Sequence, residues 1–162
     1  MGGYDQNYRI LTNNFSKYKV ESFVRLFPHH LKFDSAEDVK KLIKTGSLSA
    51  LIHDADGRID RDFYLFWELL IDGGLIIIDD YEDAGKYLEI SDKFPFGGMK
   101  NVVTFRLVNQ FEKWGLMQIQ EVVGNTVFAI KPTGSSFASL DLKKCQQIVD
   151  EVEVERREFV GH

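Results

Sequence analysis

Four aspartates stand where two apolar runs end. Ala50-Leu51-Ile52 leads into Asp54 and Asp56, and Leu75-Ile76-Ile77-Ile78 leads into Asp79 and Asp80. Carboxylates are hard oxygen donors. Three of them on one point suit Mg²⁺ or a similar divalent ion, which fills its other positions with water or substrate oxygens. Whether they meet depends on what the two runs are. Between them, Phe63, Phe66, Trp67 and Leu70 recur at i, i+3, i+4 and i+7, the period of a helix. The runs themselves are short, β-branched and unalternating, as in strands buried on both faces of a parallel sheet. Strand, helix, strand is then a right-handed βαβ unit. Its strands bring their carboxyl ends to the same sheet edge, where open α/β sheets bind ligands. Parallel neighbours lie about 4.8 Å apart, so Asp54, Asp79 and Asp80 are placed to share one cation. The plainer reading is that an aspartate ends a strand and caps the next helix with no ligand at all.

The same stretch resembles the class I S-adenosylmethionine-dependent methyltransferases, in particular the metal-dependent O-methyltransferases and related small-molecule enzymes. The resemblance is carried by His53-Asp54-Ala55-Asp56-Gly57 and by Gly73-Gly74-Leu75-Ile76-Ile77-Ile78-Asp79-Asp80-Tyr81, and in element order it runs from Asp5 to Pro132. It implies O-methylation of a small-molecule acceptor, with S-adenosylmethionine as donor and a divalent ion on Asp54, Asp79 and Asp80 that lowers the acceptor's pKa. Asp54 and Asp56 become the candidate catalytic residues. Relatives carry His or Lys after the Asp-x-Asp, but Gly57 stands there in this chain, so that position offers no base. The resemblance also puts Asp34 and Ser35 beside the cofactor adenine, Asp5 on its ribose and His53 in the same pocket. Asp34 and Ser35 equally read as helix-opening residues, and Asp5 as an ordinary terminal aspartate.

The expected fold is α/β: a Rossmann-like, mainly parallel sheet with helices on both faces and an antiparallel last strand. Its first strand and glycine-rich turn are not found in the sequence. Two expectations follow. This chain alone binds S-adenosylmethionine weakly or not at all. The alternative function is a truncated or degenerate methyltransferase fold that binds or assembles without catalysis.

The remaining elements follow in order. Ile10, Leu11 and Phe15 sit in a loose helical pattern, and Ser22–Phe27 reads as a strand closed by Pro28. His29 and His30 follow without further ligands at metal spacing, and read as loop residues. A helix opens at Ser35 as N-cap with Asp38 three residues on, and ends by Gly46. Asp72-Gly73-Gly74 reads as a turn before the second strand. Residues 82–100 form a long connection in which Phe94 and Phe96 either line an acceptor site or pin the loop. Val102–Trp114 is helical, and Leu116–Val123 with Thr126–Ile130 forms a hairpin about Gly124-Asn125.

Residues 1–132 thus make the methyltransferase-like domain, and residues 133–162 a linker and amphipathic helix. Leu142, Cys145, Val149 and Val152 share one face of that helix. They would serve a homodimer or, the favoured reading, pack on their own domain. Composition fits a globular chain, with 44% hydrophobic and 28% charged residues. A net charge of −5 speaks against nucleic acid, including a winged-helix module in residues 99–132. No apolar run approaches the roughly 20 residues of a membrane span. The single cysteine, Cys145, suits a reducing cytoplasm.

Overall fold

The computed structural model describes the backbone of residues 2–20, 22, 24, 27, 31–82 and 99–160, and their side chains except those of residues 2–7, 159 and 160. Half of the expected strand Ser22–Phe27 lies outside the described residues, as do His29, His30, Phe94 and Phe96. The chain forms two compact units, Met1–His30 and Leu31–His162. In the first, helix α1 (Gly2–Tyr18) covers the loose pattern around Ile10, Leu11 and Phe15. Lys19 closes it in the left-handed conformation, φ +57°, with its N–H donating to the Ser16 carbonyl.

The second unit is α/β, with a four-stranded mixed sheet in the order β1-β2-β4-β3. Its strands are β1 (Leu48–His53), β2 (Leu70–Ile78), β3 (Gln118–Val123) and β4 (Thr126–Ile130). β1 and β2 pair in parallel, while β4 runs antiparallel to both β2 and β3. The parallel pair and the antiparallel Thr126–Ile130 strand match the sequence reading. The sheet as described is nevertheless mixed rather than mainly parallel, because the closing hairpin supplies two of its strands and β4 slots in beside β2.

Helices α2 (Ala36–Leu42), α3 (Ile59–Phe66), α4 (Met99–Lys113) and α5 (Leu142–Val160) complete the unit. The core gathers Leu51, Ile76, Ile78, Val127 and Ala129 from one sheet face against side chains of α3, α4 and α5. Phe63 stacks on Trp67 at 5.3 Å and meets Phe111 at 4.6 Å. The opposite face is not buried as expected: Ile52 is 68% and Leu75 38% exposed. The helices that build this core lie on one side, so β1 alternates at its end, inward at Leu51 and His53, outward at Ala50 and Ile52.

The Asp72-Gly73-Gly74 turn lies inside β2 rather than before it. Leu48 pairs with Leu70 but Ala50 with Leu75, so β2 bulges between those points. Gly73 supplies the φ of +74°. The bulge is tied to the residue after β4, since the Gly73 N–H donates to the Lys131 carbonyl and the Lys131 N–H to that of Gly74, both at 2.9 Å. Lys131 is itself buried. Its Nζ donates to the carbonyls of Trp67 (3.0 Å) and Leu70 (2.8 Å) and lies 4.8 Å over the Trp67 ring.

On α5, Cys145, Ile148, Val149 and Val152 are buried in the shared core, which is the packing reading of the tail stripe. Residues 133–162 belong to the same unit as the sheet. Among the described residues, no helix is long and apolar enough to cross a membrane.

Candidate functional site

β1 and β2 end together. His53 pairs with Ile78, and the Asp79 N–H donates to the His53 carbonyl at 3.0 Å. The next residues along each strand are therefore delivered to one sheet edge. One carboxylate oxygen from each of Asp54, Asp79 and Asp80 lies within 4.8 Å of the others. Asp54 is exposed, whereas Asp79 and Asp80 are half-buried.

Neighbouring elements hold two of the three. Thr126, the first residue of β4, donates from Oγ1 to Asp79 Oδ1 at 2.9 Å. Asp80 takes a left-handed φ of +60°, a conformation that aspartate tolerates better than most residues. Beyond it, the Tyr81 N–H donates to the Asn125 carbonyl at 2.8 Å, so the hairpin turn anchors the chain leaving the centre. A lysine completes the arrangement. Lys100, in the first turn of α4, ion-pairs with Asp80 and has its Nζ 3.8 Å from Asp54. The Lys100 ammonium thus lies against two of the three carboxylates.

Asp56 is not one of the convergent three. Its carboxylate accepts two bonds from Arg61, at 2.8 and 3.1 Å, and one from the Arg58 N–H at 3.2 Å. Burial pushes this carboxyl up, but Arg61 and the Arg58 N–H outweigh it and hold it below the usual carboxylate range. Arg61 also donates from Nε to Asp62 Oδ1 at 3.0 Å. On the other side of Asp62, Oδ2 lies 2.6 Å from His53 Nδ1. The two atoms are hydrogen-bonded inside the core. His53 Nε2 is buried and has no partner among the described residues.

The residues expected around a cofactor have local partners of their own. Asp34 is exposed in the short turn before α2. Ser35 is buried, but as N-cap of α2 it makes no side-chain cap bond. Its hydroxyl instead accepts from the Lys32 N–H at 3.0 Å. Among the described residues, no hydrogen bond joins Asp34 or Ser35 to His53, whose ring faces the core with Asp62. Asp5 lies in α1, with its side chain outside the described ones. Sequence reasoning missed Lys100, Thr126 and Asp62. Lys100 follows a long irregular stretch and Thr126 reads as turn flank, so neither carries a local signal. Asp62 looks like an ordinary acid in a first helical turn.

No protein-family model matches the chain, and no curated protein matches it either.

Proposed function

We propose that the protein is a methyltransferase-like domain whose Asp54, Asp79 and Asp80 hold a divalent cation, Mg²⁺ or a similar ion, against the oxygen of a small-molecule acceptor. The observation that carries this reading is the meeting of the three carboxylates within 4.8 Å at the end of a parallel strand pair. The donor set suits the ion, being all hard oxygen with room for water or substrate. When bound, such an ion would polarise the acceptor and lower its hydroxyl pKa. The chain's own part is to orient the donors: Thr126 fixes Asp79, and the Asn125 carbonyl anchors the segment after Asp80. The finer fold reading, a Rossmann-like sheet closed by an antiparallel strand as in class I methyltransferases, is supported by the order β1-β2-β4-β3. A net charge of −5 favours a small acceptor over nucleic acid.

S-adenosylmethionine as the donor rests on the resemblance. Ser35 bonds the Lys32 N–H and His53 bonds Asp62, and no step is assigned to either. Gly57, where the resemblance would put a candidate base, favours the second reading, a domain of this type that binds or assembles without catalysis. Calorimetry with S-adenosylmethionine separates the two: low-micromolar binding supports a working enzyme, and none supports the binding domain.

The metal is tested by melting. Three close carboxylates repel one another, and a cation that binds only the folded chain stabilises it by mass action. Millimolar Mg²⁺ or Mn²⁺ raises the melting temperature of the wild type and of Asp150→Asn, an exposed control on α5, but not that of Asp79→Asn. If all three proteins respond alike, or none responds, the metal reading is wrong.

A further inference from the structure

We infer that Lys100 is a tethered cation that fills the carboxylate centre until a divalent ion displaces it, so that the protein carries its own competitor for the metal. The inference rests on the metal reading above. The ammonium lies between two of the three proposed ligands, ion-paired with Asp80 and 3.8 Å from Asp54.

The helix does not favour this placement. Lys100 occupies the first turn of α4, where the helix dipole disfavours a positive charge. The carboxylates hold it there. Its backbone is brought to the centre by a close approach to the loop after β1. A Cβ on Gly57 would stand 2.8 Å from the Lys100 carbonyl oxygen, and Gly57 has a φ of +79°. A glycine at 57 is what lets α4 start this near to Asp54.

The side chain is free to leave. It is 37% exposed; of its partners, Asp54 is 69% exposed and the closer Asp80 20%, so water reaches the lysine side of the pair and screens it. Its four-carbon stem can swing the ammonium into solvent without moving the helix. A divalent ion on the same oxygens would repel it strongly at such short range. While Lys100 stays in place, it relieves the repulsion among the three aspartates and keeps them convergent. The centre is thereby kept assembled without a metal and is weakened toward one.

The test uses the full chain. Free Mn²⁺ is followed by electron paramagnetic resonance in wild type, Lys100→Met and Lys100→Arg. In parallel, ¹³C-lysine-labelled wild type is titrated with Mg²⁺ and the Lys100 ε-methylene resonance is observed. Lys100→Met is expected to bind Mn²⁺ about tenfold more tightly than wild type, and Lys100→Arg, which keeps the charge, to stay near wild type. At saturating Mg²⁺ the ε-methylene resonance moves to that of a solvated lysine. Equal or weaker binding by Lys100→Met, or an unmoved ε-methylene signal in a wild type that does bind Mg²⁺, overturns the inference and leaves the metal reading standing. Failure of all three proteins to bind Mn²⁺ overturns both. The resonance is read on wild type, so it decides even where Lys100→Met does not fold.

Discussion

His53 Nδ1 is hydrogen-bonded to Asp62 Oδ2 over 2.6 Å inside the core, and both residues are buried. Removing one partner strands the other. Asp62→Ala should therefore lower unfolding stability by about 3 kcal/mol in urea titrations. Replacing both with apolar residues should cost less, because neither member of the pair is then stranded and the loss left is the Arg61 Nε bond to Asp62. Cys145 is a second buried titratable group. Burial, with Asp60 and Asp141 adding to it, pushes its thiol from 9.0 up to about 12. The folded state therefore holds this proton more tightly than the unfolded state. Its contribution is intact below pH 9, and is lost as the pH rises from 9.0 toward about 12. At pH 8 only roughly one thiol in ten thousand is ionised, so a thiol reagent should label the folded protein far more slowly than the same chain in urea. Fast labelling of the folded protein would contradict this. At this scale the sequence exposed part of the centre. Asp54, Asp79 and Asp80 each follow an apolar run, and a strand's end can be read locally. The resemblance put His53 in a cofactor pocket; in the strand its ring turns inward with Leu51. Lys100 and Thr126 reach the centre only through tertiary folding, which no spacing announces.

Among the elements, β2 departs furthest from its pattern. Asp72-Gly73-Gly74 carries turn chemistry and the protein uses it as such, but as a bulge within a paired strand. The buried Lys131 makes that arrangement permissible by donating to the Trp67 and Leu70 carbonyls. Lys131→Met keeps the bulk and leaves those acceptors without their donor. It should cost about 2 kcal/mol, read as a lower midpoint of thermal or urea unfolding. Gly57→Ala should cost about 1–3 kcal/mol, because a left-handed alanine there must also push the Lys100 carbonyl aside. An unchanged melting temperature would show that the loop after β1 yields freely. Helix α3 was legible from its apolar period, but it ends at Phe66, and Leu70, the last residue of that pattern, opens β2. The burial of Asp60 and Asp62 was not legible, since a first-turn acid looks the same whether water or an arginine satisfies it. Here Arg58 grips Asp60 with two bonds of 2.9 Å. The strands were legible as strands but not their two faces. Unbroken apolar runs suggest cover on both sides, yet Ile52 and Leu75 face outward.

At the scale of the whole molecule, helix α5, which follows residue 132, shares the core of the sheet unit. Cys145, Ile148, Val149 and Val152 are core residues, packed in the same cluster as Val103, Leu107 and Phe111 of α4. A chain ending at Pro132 should lose its cooperative melting transition and bind a dye for exposed apolar surface. A sharp transition near that of the full chain would show that α5 is dispensable. The period of α5 was visible in the sequence. What its stripe meets was not, because a helix face that fills its own core has the same spacing as one that meets a second copy. The late position of α5 also bears on how the protein is made. Synthesis runs from the N-terminus, and domains generally fold as units. Only the hairpin of β3 and β4 closes locally. The rest of the sheet waits for distant partners, and the apolar sides of α3 and α4 wait for the last helix. A nascent chain should therefore hold this surface uncovered until synthesis has passed Val160, with chaperones as its cover in the meantime and one late, concerted collapse when α5 arrives.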